Sequence, residues 1–82
     1  MKKSELGRLL KKRREELGIP QYELARRLGV TQSYISRIEG GNENISLDVF
    51  SWLARELGLE PVFQLEEDGK VVFRDLIRKE KR

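Results

Sequence analysis

Residues 20–41 read PQYELARRLGVTQSYISRIEGG, two short runs of helix-forming residues joined at Gly29. In the first run Pro20 sets the entry, Leu24, Ala25 and Leu28 form a narrow apolar seam, and Gly29 supplies a left-handed stop. In the second, Thr31 is a good N-cap, and Val30 just before it can pack on Ile35, fixing the angle at which the chain enters the helix. Gly40, Gly41 and Asn42 end the run. The first of these helices is barely two turns long, so it is not stable alone and must be held by packing on both neighbours.

The second run has an unusual surface. With Gln32 placed at 0° on a helical wheel, Ile35 falls at about 300° and Ile38 at about 240°, so the outward direction is near 90°. Ser33, Ser36 and Arg37 point that way, with Gln32 at the N-terminal edge. Ordinary solvated helix faces carry Lys, Glu and Arg in ion pairs, whereas this one offers short hydroxyls, an amide and a single guanidinium. Such side chains can approach a base edge closely: Gln pairs with adenine, Arg with guanine, and Ser with either. Taken alone, the same pattern also fits a plain polar surface helix.

The flanking segments supply the packing. Upstream, Ser4 is placed to cap a helix in which Leu6, Leu9, Leu10 and Leu17 form one stripe, with Gly18 as the stop. Arg13 and Arg14 fall in or beside that stripe, so one of them needs a buried partner. Downstream, Ser46 caps SLDVFSWLAREL, with Leu47, Phe50, Leu53, Ala54 and Leu57 inward and Gly58 as the stop.

Composition narrows the class. A chain of 82 residues without Cys or His excludes disulfides, Cys/His zinc sites and His-based catalysis, and the lack of Cys fits a cytoplasmic protein. No apolar run approaches the length of a membrane span. Residues 1–45 carry ten Lys/Arg against six Asp/Glu, residues 46–69 one against six, and residues 70–82 six against two. A basic front half suits a polyanion, although the same charge also serves to solubilise a small domain.

From Leu6 to Gly58 the chain resembles the helix-turn-helix family of the phage repressors and Cro and their bacterial relatives, the XRE type. Gln21, Glu23-Leu24-Ala25, Gly29-Val30, Ile35-Ser36, Ile38-Glu39 and Gly41 carry the likeness at their spacings. The resemblance implies a mainly α fold, a repressor-like domain of four helices, or five, over residues 1–58. It places the third helix in the major groove of double-stranded DNA while the second crosses the backbone. It further implies base contacts from Gln32, Ser33 and Arg37, with Ser36 a weaker candidate, and backbone contacts from Gln21, Thr31, Tyr34 and Asn42. The ring of Tyr34 has an alternative use in covering the core edge. The same likeness pairs Arg14 with Glu39 as a structural ion pair. Pro20 departs from the family, which usually has Ser or Thr there, so the side-chain cap of the second helix is lost.

Beyond Gly58 the period changes from helical to alternating, and VFQLEEDGKVVF (residues 62–73) reads as a hairpin. A three-residue loop, Glu67-Asp68-Gly69 with Gly69 left-handed, pairs Glu66 with Lys70, Leu65 with Val71 and Phe63 with Phe73. It gives one apolar face, which a two-residue loop does not. Residues 59–76 are expected to form this hairpin as a dimerisation extension, with DLIRKEKR a helical turn running into a charged tail over residues 77–82. Trp52 is an apolar side chain at a position usually polar in the family, so Phe63, Leu65, Val71 and Phe73, from the same chain or a partner, are expected to cover it. A homodimer joined there would set two third helices ~34 Å apart on a pseudo-palindromic operator.

The expected function is a sequence-specific repressor or autoregulator that uses no cofactor or metal. The run from Asn42 through Leu65 also looks like antitoxins that bind a toxin protein as well as DNA, and a restriction-modification controller is a related alternative. An enzyme is disfavoured: Glu66, Glu67 and Asp68 lie in a turn, where carboxylates are commonly solvent-facing, and nothing assembles a reacting centre around them.

Overall fold

The computed structural model describes residues 3–79. They form α1 (Lys3–Glu16), α2 (Gln21–Leu28), α3 (Gln32–Glu39), α4 (Leu47–Glu56), β1 (Leu59–Leu65) and β2 (Val71–Arg78). Four helices are followed by an antiparallel hairpin, and no fifth helix occurs among the described residues. The core is built from Leu10 of α1, Leu24, Ala25 and Leu28 at α2, Ile35 and Ile38 of α3, Phe50, Leu53, Ala54 and Leu57 at α4, and Leu59 of β1.

The apolar stripe of α1 differs from the wheel. Leu10 is buried, but Leu9 and Leu17 are 37% and 42% exposed. The buried line instead runs Gly7, Leu10, Arg14, at spacings of three and four. Gly7 is invisible to a search for leucines, yet it is where α1 meets the end of α3. A Cβ at Gly7 would lie 2.1 Å from the Ile38 carbonyl oxygen, so only glycine admits this approach. Ser4 also departs from expectation, since α1 begins at Lys3 and Ser4 lies within it rather than capping it. Leu47, expected inward, is exposed in the first turn of α4, and the buried line starts a turn later at Phe50.

The caps at α3 and α4 form as their sequences suggest. The Thr31 hydroxyl accepts from the Tyr34 N–H at 3.1 Å, and that of Ser46 accepts from Val49 at 3.1 Å. Pro20 is the N-cap of α2 with φ −71°, and no side chain caps that end. The Arg13 guanidinium donates from Nε to the Leu57 carbonyl at 2.9 Å, tying α1 to the C-terminal end of α4.

In the hairpin Leu65 pairs with Val71 and Phe63 with Phe73, and the Glu66 N–H donates to the Lys70 carbonyl at 2.7 Å. Gly69 has φ +87°, the left-handed residue that a three-residue loop needs. The Lys70 N–H donates to the Asp68 carboxylate at 3.0 Å, so Asp68 shapes the turn.

The segment expected as a helical turn, DLIRKEKR, is strand through Arg78. The physical reason is a bulge. Val62 faces Asp75 while Phe63 faces Phe73, leaving Arg74 as the extra residue. Without it Asp75 would oppose Pro61 on the inner face; with it the register moves by one and Leu76 takes that place. The hairpin therefore runs past residue 76, and the Lys79 N–H donates to the Gly58 carbonyl at 2.9 Å. Residues 80–82 of the expected charged tail lie outside the described residues.

Candidate nucleic-acid interface

The surface of α3 is positioned from beneath. Ile35 and Ile38 are buried, each contributing about 2 kcal/mol of apolar burial, and Val30 and Tyr34 pack partly against the same core. At the N-terminal end Gly29, with φ +69°, closes α2 and turns the chain into Thr31. At the C-terminal end sits a buried ion pair. Arg14 donates from Nε to Glu39 Oε2 at 2.7 Å and from Nη2 to Glu39 Oε1 at 2.9 Å, a bidentate geometry. Its Nη1 donates to the Ile19 carbonyl at 2.7 Å.

This cluster joins three elements. Glu39 closes α3, Arg14 comes from α1, and Gln21 at the start of α2 donates from Nε2 to Glu39 Oε1 at 3.0 Å. Hydrogen bonding to Glu39 raises the Arg14 pKa against the opposing effect of burial, and nearby negative charge adds to the rise. Among the described residues no buried side-chain polar atom lacks a partner. The choice between Arg13 and Arg14, open on the wheel, thus has a structural answer: Arg14 takes the carboxylate and Arg13 takes a helix-end carbonyl.

Above this mount, Gln32, Ser33, Ser36 and Arg37 are exposed on one face of α3, with Thr31 exposed at its start and Asn42 just beyond its end. Tyr34 is half-buried, and the Arg37 guanidinium carbon stands 5.9 Å from its ring centroid. The Tyr34 ring thus packs partly on the core and lies beside the exposed Arg37. Gln21 is half-buried, and its Oε1 accepts from Gln32 Nε2 at 3.4 Å. A continuous line of polar contacts therefore runs Arg14, Glu39, Gln21, Gln32. The side-chain amide of Gln21 retains a second N–H for another acceptor.

On the adjoining surface of α2, Glu23 is held by Arg26 and Arg27. Arg26 donates to both carboxylate oxygens of Glu23, and Arg27 Nε donates at 3.0 Å. Hydrogen bonding to Arg26, then to Arg27, lowers the Glu23 carboxyl pKa to about 2.

Two contributors escaped the sequence reading. Gly7 sets how closely α1 approaches α3, and its only sequence signal is its place three residues before Leu10. Glu43, in the loop after α3, accepts from Arg37 Nε at 2.9 Å. No helical periodicity reaches across that loop, so sequence spacing gives no hint of it.

The five residues expected at a dimer interface separate into two groups. Phe63 and Phe73 pack against the protein's own core, and Phe73 meets Phe50 edge-on with centroids 5.0 Å apart. Leu65 and Val71 lie at the far end of the same inner sheet face and are 71% and 50% exposed. Trp52 is 44% exposed, so the chain's own hairpin leaves it open.

Comparison with known proteins agrees with this architecture. A family model described as helix-turn-helix matches residues 10–64, and the chain belongs to that family, in its XRE-type branch. A protein of Methanothermobacter thermautotrophicus described as an uncharacterized HTH-type transcriptional regulator is 44% identical over 64 residues, covering 74% of this chain and 93% of the relative. Two crystal structures of the clp gene regulator ClgR from Corynebacterium glutamicum superpose with TM-scores of 0.65 and 0.66 at 28% identity. Each alignment covers 68% of this chain, and they span 60% and 72% of the respective ClgR chains.

Proposed function

We propose that the protein is a sequence-specific transcriptional regulator of the cytoplasm, a repressor or autoregulator that binds a pseudo-palindromic operator as a homodimer with α3 in the major groove. The observation that carries the reading is the outward face of α3: Gln32, Ser33, Ser36 and Arg37 project together from a helix whose underside is immobilised by Ile35, Ile38 and the Arg14–Glu39 pair. Rigid mounting matters because base readout requires several donors and acceptors to meet one base-pair edge in a fixed register. In this reading Gln32, Ser33, Ser36 and Arg37 contact bases, while Gln21, Thr31, Tyr34 and Asn42 meet the sugar-phosphate backbone. Phosphate contacts make the affinity fall steeply with salt.

The homodimer is supported by apolar surface that the chain does not cover itself, namely Leu65, Val71 and Trp52. A two-stranded hairpin also offers open backbone edges to a second copy.

Selection of bound sites from random DNA, combined with light scattering, tests the proposal. The expected result is enrichment of two related half-sites ~34 Å apart, centre to centre, bound by a particle of twice the chain mass. No enrichment at moderate salt would remove the sequence-specific reading. Enrichment of single half-sites by a monomer at micromolar concentration would remove the dimer.

A further inference from the structure

We infer that Glu43 is a positioning residue for base reading by Arg37, holding the guanidinium so that its terminal edge, rather than its side edge, faces DNA. The inference rests on α3 being the reading helix.

Arg37 is the long, flexible member of the outward face, and a free arginine there would sample many rotamers and pair readily with any phosphate. Two contacts limit it. The Tyr34 ring lies one turn back, 5.9 Å from the guanidinium carbon, a cation–π distance. Glu43 accepts from Nε at 2.9 Å. Glu43 does not hang from a loose loop, because the Gly41 N–H donates to the Ile38 carbonyl at 3.1 Å and the Asn42 N–H to the Arg37 carbonyl at 2.9 Å. Those bonds fold the preceding residues back onto the end of α3. Gly41 in turn abuts α1, where a Cβ would lie 2.8 Å from the Ser4 Cα.

The choice of nitrogen has a chemical consequence. The guanidinium is a planar fork that can present either an Nε/Nη edge or the edge formed by its two terminal nitrogens. A carboxylate on Nε occupies the first edge, while the bond itself uses neither terminal nitrogen. The terminal pair matches the spacing of guanine O6 and N7. The carboxylate also offsets part of the charge that Arg37 would otherwise offer to phosphates of any sequence. Both effects favour discrimination over bulk affinity. A plain surface ion pair, by contrast, would matter little to stability and not at all to base preference.

The test compares wild type with Glu43→Ala, Glu43→Gln, Arg37→Ala and the Arg37→Ala/Glu43→Ala double variant in site selection and in binding to selected and random DNA. Arg37→Ala identifies the base pair that Arg37 reads. Glu43→Ala is expected to lower the preference for selected over random DNA about five- to tenfold, within the range of one base contact. That loss should fall at the same base pair and be absent when Arg37 is already alanine. Glu43→Gln, whose amide oxygen can still accept from Nε, should fall between Glu43→Ala and wild type. If both Glu43 variants shift binding to selected and random DNA by one common factor, Glu43 is only a charge and the inference fails. A wild type that enriches no sequence would instead overturn the reading of α3, before any variant is compared.

Discussion

The two ends of this chain solve the problem of an exposed surface in opposite ways. The helical part, α1 to α4, turns outward a polar face on α3 and fastens it below with buried apolar side chains and the Arg14–Glu39–Gln21 cluster. The hairpin fastens itself through Leu59, Phe63, Phe73 and Leu76, then extends beyond the core with Leu65 and Val71 in the open. A polar face can wait in water without penalty, so it can be held rigid and empty. An apolar face cannot, and its exposure is a reason to expect a second surface against it.

The largest effect is expected at the ion pair. Glu39→Ala strands a buried guanidinium and is expected to cost about 3–5 kcal/mol in urea unfolding. Replacing both partners with apolar residues, Arg14→Met with Glu39→Leu, should cost far less, because no charge is left unpaired. If the double variant is as unstable as the single one, the cluster matters through shape rather than charge. Gly7→Ala comes next, at about 2–3 kcal/mol, since its methyl group would force α1 away from the Ile38 carbonyl. DNA binding is then measured at a temperature where this variant remains folded: displacement of α3 should weaken it beyond the loss of stability. The smallest effect is expected in the hairpin, where Phe73→Ala should cost about 1–2 kcal/mol because that ring is only partly buried. It should leave the monomeric affinity for a half-site nearly unchanged. A loss as large as that of Glu39→Ala would show that β2, and not only Leu59 of β1, is part of the core.

Much of the helical part was legible from residue types. Thr31, Ser46 and the glycines after each helix are local signals, because a cap or a left-handed turn is decided within a few residues. The loop at Glu67-Asp68-Gly69 was legible for a similar reason, as only one register made an apolar face. The bulge at Arg74 was not. It brings Leu76 inward in place of Asp75, and that preference exists only once β1 and the core are present to reward it. The exposure of Leu9 and Leu47 was hidden likewise: a wheel shows which side chains share a face, but not how wide a face the neighbouring helices cover.

The candidate site divides along the same line. The outward set on α3 follows from helical periodicity, which is a property of the chain alone. The resemblance to the repressor family paired Arg14 with Glu39, and the structure added Gln21, Gln32 and the Ile19 carbonyl to that pair. Glu43 is six residues from Arg37, and the left-handed Gly41 that folds the chain back is a local signal, but helical periodicity stops at Glu39 and so does not pair the two side chains. The four helices, the caps at Thr31 and Ser46, the hairpin loop and the polar face were set by the order of residues alone, because these depend on interactions between residues a few positions apart. The approach at Gly7 and the bulge at Arg74 were left to the tertiary structure, because each depends on the distance between segments remote in the chain.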